Sequence, residues 1–284
     1  MRHNIIYLGN CIEVMRSEVA DRSTSLVYAD PPYNLSGNTL QWLGNKTGGD
    51  WFKMNEDWDQ MPPEVYSAFT DEWIAEAHRV LKKNGSLYVS CTYHNVADVI
   101  LAIRKVSMKI NNIITWYKPN AMPNMTKRVY THSTEYVVCA VNGPKWIFNY
   151  EDVKDINPER QKDGSTKQMR DLWTIPLVQG SERLHGEDGR AAHPTQKPEE
   201  MLKRIVVASS NEGDLVLDPF LGSGTTAVIS ERYHRNWIGI ETDESYIEMA
   251  IKRYQEEFAT DLPLVVHETR EERVFPSKKQ ALFS

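Results

Sequence analysis

The stretch Leu215-Val216-Leu217-Asp218-Pro219-Phe220-Leu221-Gly222-Ser223-Gly224-Thr225-Thr226 indicates a buried strand, a glycine-rich turn and the start of a helix. Glycine has no Cβ, so the backbone can pass close to a ligand, and the amides of a helix N-terminus can face its polar groups. This order of elements is typical of a nucleotide-cofactor site at the carboxyl end of a strand.

Two other nucleotide-binding motifs fit this turn less well. A phosphate-binding loop ends in Gly-Lys-Ser/Thr, and Thr225 stands where the lysine is needed. A dinucleotide fingerprint needs a third glycine, and Ala227 occupies its place, which the looser form of the motif tolerates. The next strand ends at Glu241, about 20 residues after the glycines, where such folds bind ribose hydroxyls. A ribose-bearing cofactor is therefore predicted, with capping of the helix over 243–258 as the alternative role of Glu241.

A second predicted strand, over 25–29, ends in the turn Asp30-Pro31-Pro32-Tyr33. Such a turn is weak evidence alone, because acid-Pro-Pro also makes ordinary turns. The chemistry that fits it is methyl transfer to an exocyclic amino group of a base. The Asp30 carboxylate and the Pro31 carbonyl would accept the two amino N–H groups, and Tyr33 would stack on a flipped base. Catalysis would then come from positioning and electrostatics, without a covalent enzyme intermediate.

The rest of the chain alternates short apolar runs with amphipathic ones, which predicts an α/β fold with a mostly parallel sheet covered by helices. Pro62-Pro63 opens one predicted helix, with Asn84-Gly85 as its stop, and Pro198 opens another. Residues 34–59 and 142–192 are polar and are candidates for substrate contact. The tail after Phe258 is predicted to fray or dock loosely. The strands are predicted at 5–8, 25–29, 86–91, 110–117, 135–141, 215–217 and 237–240.

Composition narrows the class of protein. With 284 residues and 40% apolar content, the chain fits one catalytic domain that carries a recognition insert. It contains no apolar run of membrane-spanning length and no signal-peptide pattern, so a cytoplasmic protein without a membrane partner is predicted. The cysteines Cys11, Cys91 and Cys139 are far apart, so each is predicted to pack as a small apolar residue, with no metal site.

The net charge of -6 is unexpected for a nucleic-acid-binding protein, but the acidity is unevenly distributed. Residues 118–190 contain 11 Lys/Arg against 10 Asp/Glu, and the rest of the chain contains 22 against 29. Residues 118–134 contain no acidic residue at all. This segment is a candidate for phosphate contact, although charge alone equally fits a solvated loop.

Together, these motifs resemble the amino-methylating DNA methyltransferases of bacterial restriction-modification and orphan systems, in the β arrangement of the N-4/N-6 DNA methylase family. In that arrangement the catalytic tetrapeptide precedes the glycine loop, as Asp30 precedes Asp218 here. The likeness extends to about Tyr254. Further segments match in family order: Gly85-Ser86-Leu87-Tyr88-Val89, Ile114-Thr115-Trp116-Tyr117-Lys118, Thr131-His132-Ser133-Thr134-Glu135 and His193-Pro194-Thr195-Gln196-Lys197-Pro198.

The resemblance implies a Rossmann-like fold with a seven-stranded, mostly parallel sheet and S-adenosylmethionine as cofactor. It places catalysis on Asp30, Pro31, Pro32 and Tyr33. Residues 1–118 and 193–258 would form the catalytic domain, 119–192 the target-recognition insert and 259–284 a tail. Where this chain has Asn10 the family often has Asp, which puts that cofactor contact in doubt. The cofactor would be bound by Asn10, Cys11, Asp30, Lys197, Asp218, Phe220, Gly222, Ser223, Gly224, Thr225, Thr226 and Glu241.

The resemblance favours N6 of adenine as the target, because cytosine-N4 enzymes more often carry Ser where Asp30 stands. Cytosine-N4 methylation, an RNA or protein amide methyltransferase, and a DNA-binding subunit without catalysis remain as alternatives. The segment 169–198 is similar to the GANTC-modifying, cell-cycle type of enzyme. Expected partners are double-stranded DNA, a cognate restriction endonuclease and a second copy of the chain.

Candidate DNA contacts lie in the middle of the chain, each with plain solvated surface as its alternative reading. His132 is predicted to be structural sooner than catalytic. Trp42, Trp51 and Trp58 could stack near a flipped base or simply pin their loop to the domain. The predicted DNA-binding residues are Lys127, Arg128, His132 and Arg170, with Arg160, Lys162 and Lys167 as further candidates for phosphate contact.

Overall fold

The computed structural model describes residues 2–34, 61–124, 127–184, 195–260, 262–267 and 271–275. The helices are α1 (Cys11–Glu18), α2 (Pro63–Val80), α3 (Val96–Lys105), α4 (Tyr150–Asp155), α5 (Glu199–Ser209), α6 (Thr225–Arg232) and α7 (Glu244–Phe258). The strands are β1 (Ile5–Leu8), β2 (Thr24–Ala29), β3 (Leu81–Cys91), β4 (Lys109–Tyr117), β5 (Thr134–Val141), β6 (Leu172–Thr174), β7 (Leu215–Asp218), β8 (Asn236–Glu241), β9 (Leu262–Val266) and β10 (Glu271–Phe275).

The described strands form one sheet in the order β10-β9-β1-β8-β7-β2-β3-β5-β4-β6. Every neighbouring pair from β9 to β3 is parallel, and β5 runs antiparallel to both β3 and β4. The prediction of an α/β fold with a mostly parallel sheet is confirmed. The predicted count of seven is wrong, because β6, β9 and β10 add short strands at the two edges of the sheet.

β2 and β7 lie side by side at the centre of the sheet and run parallel. Between them the strand order reverses, because the connection after β2 leads to one side and the connection after β7 leads to the other. From β7 the chain passes through α6 to β8 on one side, and from β2 it passes through α2 to β3 on the other. Ligands of open α/β sheets bind in the crevice beyond the carboxyl ends of such strands. Both sequence motifs begin there.

Helices cover both faces of the sheet, so the central strands β2 and β7 are buried along their whole length. In β2, Val27 and Ala29 face a core that contains Trp73 of α2, while Leu26 and Tyr28 face a second core that contains Ile205 of α5. A third core lies under α6 and α7, next to β8. The motifs at the end of β2 are thus fixed by packing from both sides.

The stop predicted for α2 at Asn84-Gly85 is wrong. α2 ends at Val80, and β3 begins at once and runs through both residues. A Cβ at position 85 would lie 3.0 Å from the Ser25 carbonyl oxygen, so glycine lets β3 approach β2 closely where the register of the pair shifts. The glycine therefore serves strand pairing and not the helix end.

Parts of the predicted tail and of the predicted recognition insert also belong to the sheet. β9 pairs with β1, and β10 pairs with β9, so the described part of the tail does not dock loosely as predicted. β5 falls inside the predicted insert 119–192, yet it lies between β3 and β4. β6 also falls inside 119–192 and pairs with β4, so two strands of this segment belong to the sheet.

Two further predictions concern single residues and segments. Cys11, Cys91 and Cys139 are buried and free, as predicted. None of the helices that the structure describes is long and apolar enough to cross a membrane. Residues 35–60, which include Trp42, Trp51 and Trp58, lie outside the described residues, as do His193 and Pro194.

The side chain of Leu262 tests whether the tail belongs to the core. Leu262 begins β9 and is 1% exposed in the core under α7. Its replacement by alanine removes buried methyl groups and leaves a cavity, so Leu262→Ala should lower the free energy of unfolding by about 2–5 kcal/mol. Urea denaturation measures this change. Leu101→Ala, at a leucine 55% exposed on α3, is the matched control and should cost much less. Equal small losses would show that the tail is not packed.

Candidate functional site

A cleft opens beyond the carboxyl ends of β2 and β7, with about 1190 Å³ of space between its walls and mouth. The acid-Pro-Pro-Tyr turn forms one wall, and the glycine loop forms the other. Most of the predicted residues meet here, although they come from five separate parts of the chain. Those that line the cleft are Asn10, Cys11, Asp30, Pro31, Pro32, Tyr33, Lys197, Asp218, Phe220, Gly222, Ser223, Thr225, Thr226 and Glu241.

Gly224 is the one predicted cofactor residue that does not line the cleft. It precedes the first residue of α6 with φ at +74°, a conformation that glycine adopts without strain. A Cβ at this position would lie 2.8 Å from the Cβ of Ala250 in α7. Gly224 is therefore needed for the close packing of the loop on α7.

Asp30 lies at the centre of a short polar network. One carboxylate oxygen accepts a hydrogen bond of 2.6 Å from the Tyr33 hydroxyl, and the other accepts one of 2.6 Å from the Lys197 ammonium. Burial, with the Asp30 charge next to it, raises the pKa of Tyr33 well above its usual range, so the phenol remains a donor. A carboxylate has about four lone-pair sites, so Asp30 can still accept a further N–H.

The tetrapeptide is braced from behind by two residues that sequence reasoning missed. The Tyr66 hydroxyl donates to the Pro32 carbonyl at 2.9 Å, and the Asn95 amide donates to the Tyr66 hydroxyl at 3.0 Å. The Asn95 side-chain oxygen in turn accepts from the Thr92 backbone at 2.8 Å. Since Tyr66 holds the Pro32 carbonyl, the Pro31 carbonyl is the acceptor of the turn that stands beside Asp30.

The glycine loop is shaped by two buried carboxyl groups. Asp218 accepts from the Phe220 N–H at 2.9 Å and from the Thr226 hydroxyl at 2.6 Å. Glu241 accepts from the Gly222 N–H at 2.8 Å. Asp243 caps α7 through the N–H groups of its first turn, so the alternative in which Glu241 serves as that cap is wrong.

Arg253 of α7 clamps the same loop from below. Its guanidinium donates to the Thr225 hydroxyl at 2.8 Å, to the Ser223 carbonyl at 3.2 Å and to Glu199 at 2.8 Å. The residue is 8% exposed and lies outside every motif, so only the tertiary contact identifies it. Arg253 thus ties the glycine loop to the start of α5, next to Lys197.

Acidic side chains outnumber basic ones in the cleft. Among the described residues, its lining contains three carboxyl groups, those of Asp30, Asp218 and Glu241, and one cationic side chain, that of Lys197. Burial, assisted by the charges of Asp30 and Glu241, raises the pKa of Asp218 to about 7. Burial also raises the pKa of Glu241. Such a cleft suits a cationic ligand with ribose hydroxyls, and it is unsuited to the charge of a polyphosphate.

Two predicted cofactor residues at the start of α1 have limited capacity for polar contact. The Asn10 side-chain oxygen accepts from the N–H groups of Ile12 and Glu13, so it caps α1. Burial raises the pKa of Cys11 to about 12, which keeps its thiol protonated and unreactive at neutral pH. No group of acidic, histidine or cysteine side chains in the described part of the chain could hold a metal ion.

The predicted DNA-binding residues separate into two places. Lys127, Arg128 and His132 are exposed in the segment between β4 and β5, at the same edge of the sheet as Asp30. Arg170 lies away from them, pairs with Glu159 at 2.9 Å and lines a second cavity together with residues of β3, β4 and β5. The positive charge of Arg170 is therefore largely neutralised, as is that of Lys118, which pairs with Glu135 at 2.7 Å.

Comparison with known proteins gives matches over most of the chain. Residues 24–252 match a family described as DNA methylase. The Type II methyltransferase M2.MboI of Moraxella bovis is 38% identical over 88% of this chain and 87% of its own length. The Type II methyltransferase M2.DpnII of Streptococcus pneumoniae is 39% identical over 86% of this chain and 87% of its own. The crystal structure of the M1.HpyAVI–SAM complex aligns with a TM-score of 0.61 and 25% identity, over 88% of this chain and 98% of that one.

The buried Asp218 carboxyl predicts a pH-dependent cost to stability. In the unfolded chain it ionises near pH 4, whereas in the folded chain it keeps its proton up to about pH 7, so stability falls as the pH rises through this window. Asp218→Asn keeps a partner for Phe220 and Thr226 without the charge. We expect Asp218→Asn to be more stable relative to the parent chain at pH 8 than at pH 5. The free energy of unfolding of the variant minus that of the parent, measured by urea denaturation, should therefore be larger at pH 8.

The matched control is Asp214→Asn. Burial alone would raise the pKa of Asp214, but hydrogen bonds from Ser25, Asn211 and Lys82 outweigh burial and lower it. Asp214 is therefore ionised in both the folded and the unfolded chain from pH 5 to pH 8, and its replacement should cost the same throughout. A pH-independent effect of Asp218→Asn as well would contradict the raised pKa.

Proposed function

We propose that this chain, which belongs to the DNA methylase family that it matches over residues 24–252, methylates N6 of adenine in double-stranded DNA. That it is an S-adenosylmethionine-dependent DNA methyltransferase follows from the family and from relatives that cover nearly nine-tenths of its length. The choice of adenine rests on Asp30 at the head of the catalytic turn, where cytosine-N4 enzymes more often carry Ser.

S-adenosylmethionine, when bound, supplies a methyl group on a positively charged sulfonium, and the residues of the cleft fit such a molecule. Among the described residues that line the cleft, carboxyl groups outnumber the one lysine, and such a lining accommodates a positive charge. Glu241 stands at the end of β8, where a carboxylate can accept from ribose hydroxyls. The apolar side chains of Phe220 and Ile240 provide surfaces for an adenine ring.

The target amino group is a poor nucleophile because its lone pair is delocalised into the base. Asp30 and the Pro31 carbonyl would each accept one of its N–H groups, which favours a pyramidal nitrogen with its lone pair directed away from both acceptors. Lys197 keeps a positive charge 2.6 Å from Asp30, which stabilises the carboxylate as an acceptor. The turn is rigid, so the acceptors are in place before the base arrives.

The partners belong to the same proposal. Exposed Lys127 and Arg128 lie at the edge of the sheet that carries Asp30, where they can contact the phosphates of a duplex whose adenine is flipped into the cleft. The names of the relatives describe Type II methyltransferases, which supports a cognate restriction endonuclease as a functional partner. A homodimer and a cytoplasmic, nucleoid-associated location complete the proposal.

The identity of the methylated base tests the proposal directly. We expect N6-methyladenine, detected by mass spectrometry of nucleosides, in DNA incubated with the enzyme and labelled S-adenosylmethionine. Appearance of N4-methylcytosine alone would overturn the choice of base, and label in RNA or protein alone would overturn the substrate. Single-molecule sequencing of DNA from cells that express the protein then gives the recognition site.

The carboxylate of Asp30 should be indispensable for this reaction. Loss of one preorganised polar contact to a reacting group costs about 100-fold or more in kcat, so Asp30→Ala should reduce methylation by at least that factor. Calorimetric titration with S-adenosylmethionine should still show binding, weakened at most. Asp21→Ala removes an exposed carboxylate at the opposite end of β2 and should leave activity unchanged. Full activity of Asp30→Ala would refute the assigned role.

The brace behind the tetrapeptide should affect turnover more than cofactor binding. Tyr66→Phe removes the donor to the Pro32 carbonyl, so the acceptors shift relative to the base and kcat should fall about tenfold, with little change in KM for S-adenosylmethionine. Tyr88→Phe is the matched control, because it removes another buried hydroxyl, bonded to Ser209, away from the turn. Equal kcat values for both variants would show that Tyr66 only stabilises the fold.

A further inference from the structure

A small group of aromatic rings stands on the surface at the edge of the sheet that carries the catalytic turn. The Tyr93 ring lies parallel to the His132 ring, with centroids 5.1 Å apart and planes 15° apart. The His94 ring lies 3.9 Å from Tyr93 on the neighbouring position of the chain. Tyr93 is 54% exposed, and both histidines are exposed as well. We call Tyr93, His94 and His132 the aromatic platform.

The platform is assembled from two loops that are separate in sequence. Tyr93 and His94 belong to the turn between β3 and α3, and His132 belongs to the segment between β4 and β5. Tyr130, in the same segment as His132, is 96% exposed. Exposed rings grouped in this way at the surface can stack on a further flat, apolar partner.

The position of the platform relates it to the reaction. Tyr93 follows the carboxyl end of β3, the strand next to β2, and neighbouring strands lie about 4.8 Å apart. The turn that carries Tyr93 also carries Asn95, whose side chain bonds to Tyr66, and Tyr66 holds the Pro32 carbonyl. The platform therefore stands beside the mouth of the cleft and shares a hydrogen-bonded support with the catalytic turn.

The charge around the platform fits a polyanion. Residues 118–134 contain no acidic side chain, and Lys127 and Arg128 are exposed there. No carboxylate of the described residues forms an ion pair with either of them. DNA combines phosphates with flat bases that have apolar faces, so it matches both the free cations and the open rings.

We propose that the aromatic platform stacks on a nucleobase of the bound DNA next to the flipped one. Flipping a nucleotide out of a duplex unstacks its neighbours, and a ring from the protein can replace the lost stacking partner. The inference depends on DNA as the substrate, which the family membership gives, and not on the choice between adenine and cytosine. It assigns Tyr93 as a substrate-binding residue outside the cofactor cleft.

Substitutions at Tyr93 test the platform. The probe is an unmethylated duplex that contains the recognition site of the enzyme. Stacking on an aromatic side chain accounts for roughly a tenfold change in affinity for one base. Fluorescence anisotropy should therefore show about tenfold weaker binding for Tyr93→Ala and for Tyr93→Leu, which keeps apolar bulk without a flat ring. Tyr93→Phe keeps the ring and should bind within about twofold of the parent chain.

The matched control is Tyr150→Ala. Tyr150 is 41% exposed at the start of α4, whose N-terminal backbone contacts the C-terminal end of α5, away from the edge of the sheet that carries Asp30. This variant should bind DNA like the parent chain. All variants should bind S-adenosylmethionine normally in the absence of DNA, which separates loss of the platform from loss of the fold.

A fluorescent base analogue reports the contact itself. With 2-aminopurine placed beside the target base, stacking on Tyr93 should quench its emission, and Tyr93→Ala should restore it while Tyr93→Phe should not. Normal DNA affinity of Tyr93→Ala, or equal emission for Tyr93→Ala and the parent chain, would overturn the proposal. Equally weak binding by Tyr93→Phe would assign the effect to the hydroxyl and would also overturn stacking.

Discussion

The ion pair between Lys197 and Asp30 joins two walls of the cleft. Asp30 follows β2, Lys197 precedes α5, and the ammonium nitrogen and the carboxylate oxygen lie 2.6 Å apart although the residues are 167 positions apart. The side chains are 7% and 16% exposed, so their contact fixes geometry more than it adds stability, because desolvation offsets most of the attraction between buried charges. The Lys197 ammonium also lies over the Tyr33 ring, 5.3 Å from its centroid.

Further hydrogen bonds hold the segments on both sides of this ion pair in place. On the catalytic side, Tyr66 and Asn95 hold the turn through the Pro32 carbonyl. On the cofactor side, the Thr225 hydroxyl donates to the Lys197 carbonyl at 3.3 Å, and Arg253 holds Thr225. The cleft therefore has polar side chains fixed from outside by residues that do not enter it. This is the arrangement that catalysis by positioning requires.

The sequence predicted the parts of the site that have local backbone requirements. The prolines of the turn and the glycines of the loop are needed by their own φ angles, and the predicted strands contain short apolar runs. β6, β9 and β10 were missed because each is a short strand at or next to an edge of the sheet and forms only by pairing with a neighbour. Tyr66, Asn95 and Arg253 were missed for the same physical reason: the contacts that define their roles join residues 28 to 54 positions apart, and no local pattern records such a contact.

The hydrogen bonds from Asn95 to Tyr66 and from Tyr66 to the Pro32 carbonyl connect the surface turn of Tyr93 with the tetrapeptide. Tyr93 and Asn95 occupy one turn, so a base that stacks on the platform would press on the residue that orients Tyr66. Asn95 is 1% exposed and uses both its amide nitrogen and its oxygen, which limits its freedom to the movement of the whole turn. A contact with DNA outside the cleft can then reach the Pro32 carbonyl through two hydrogen bonds. Binding energy from the duplex would in this way hold the acceptors of the turn in place when a base is present to be methylated.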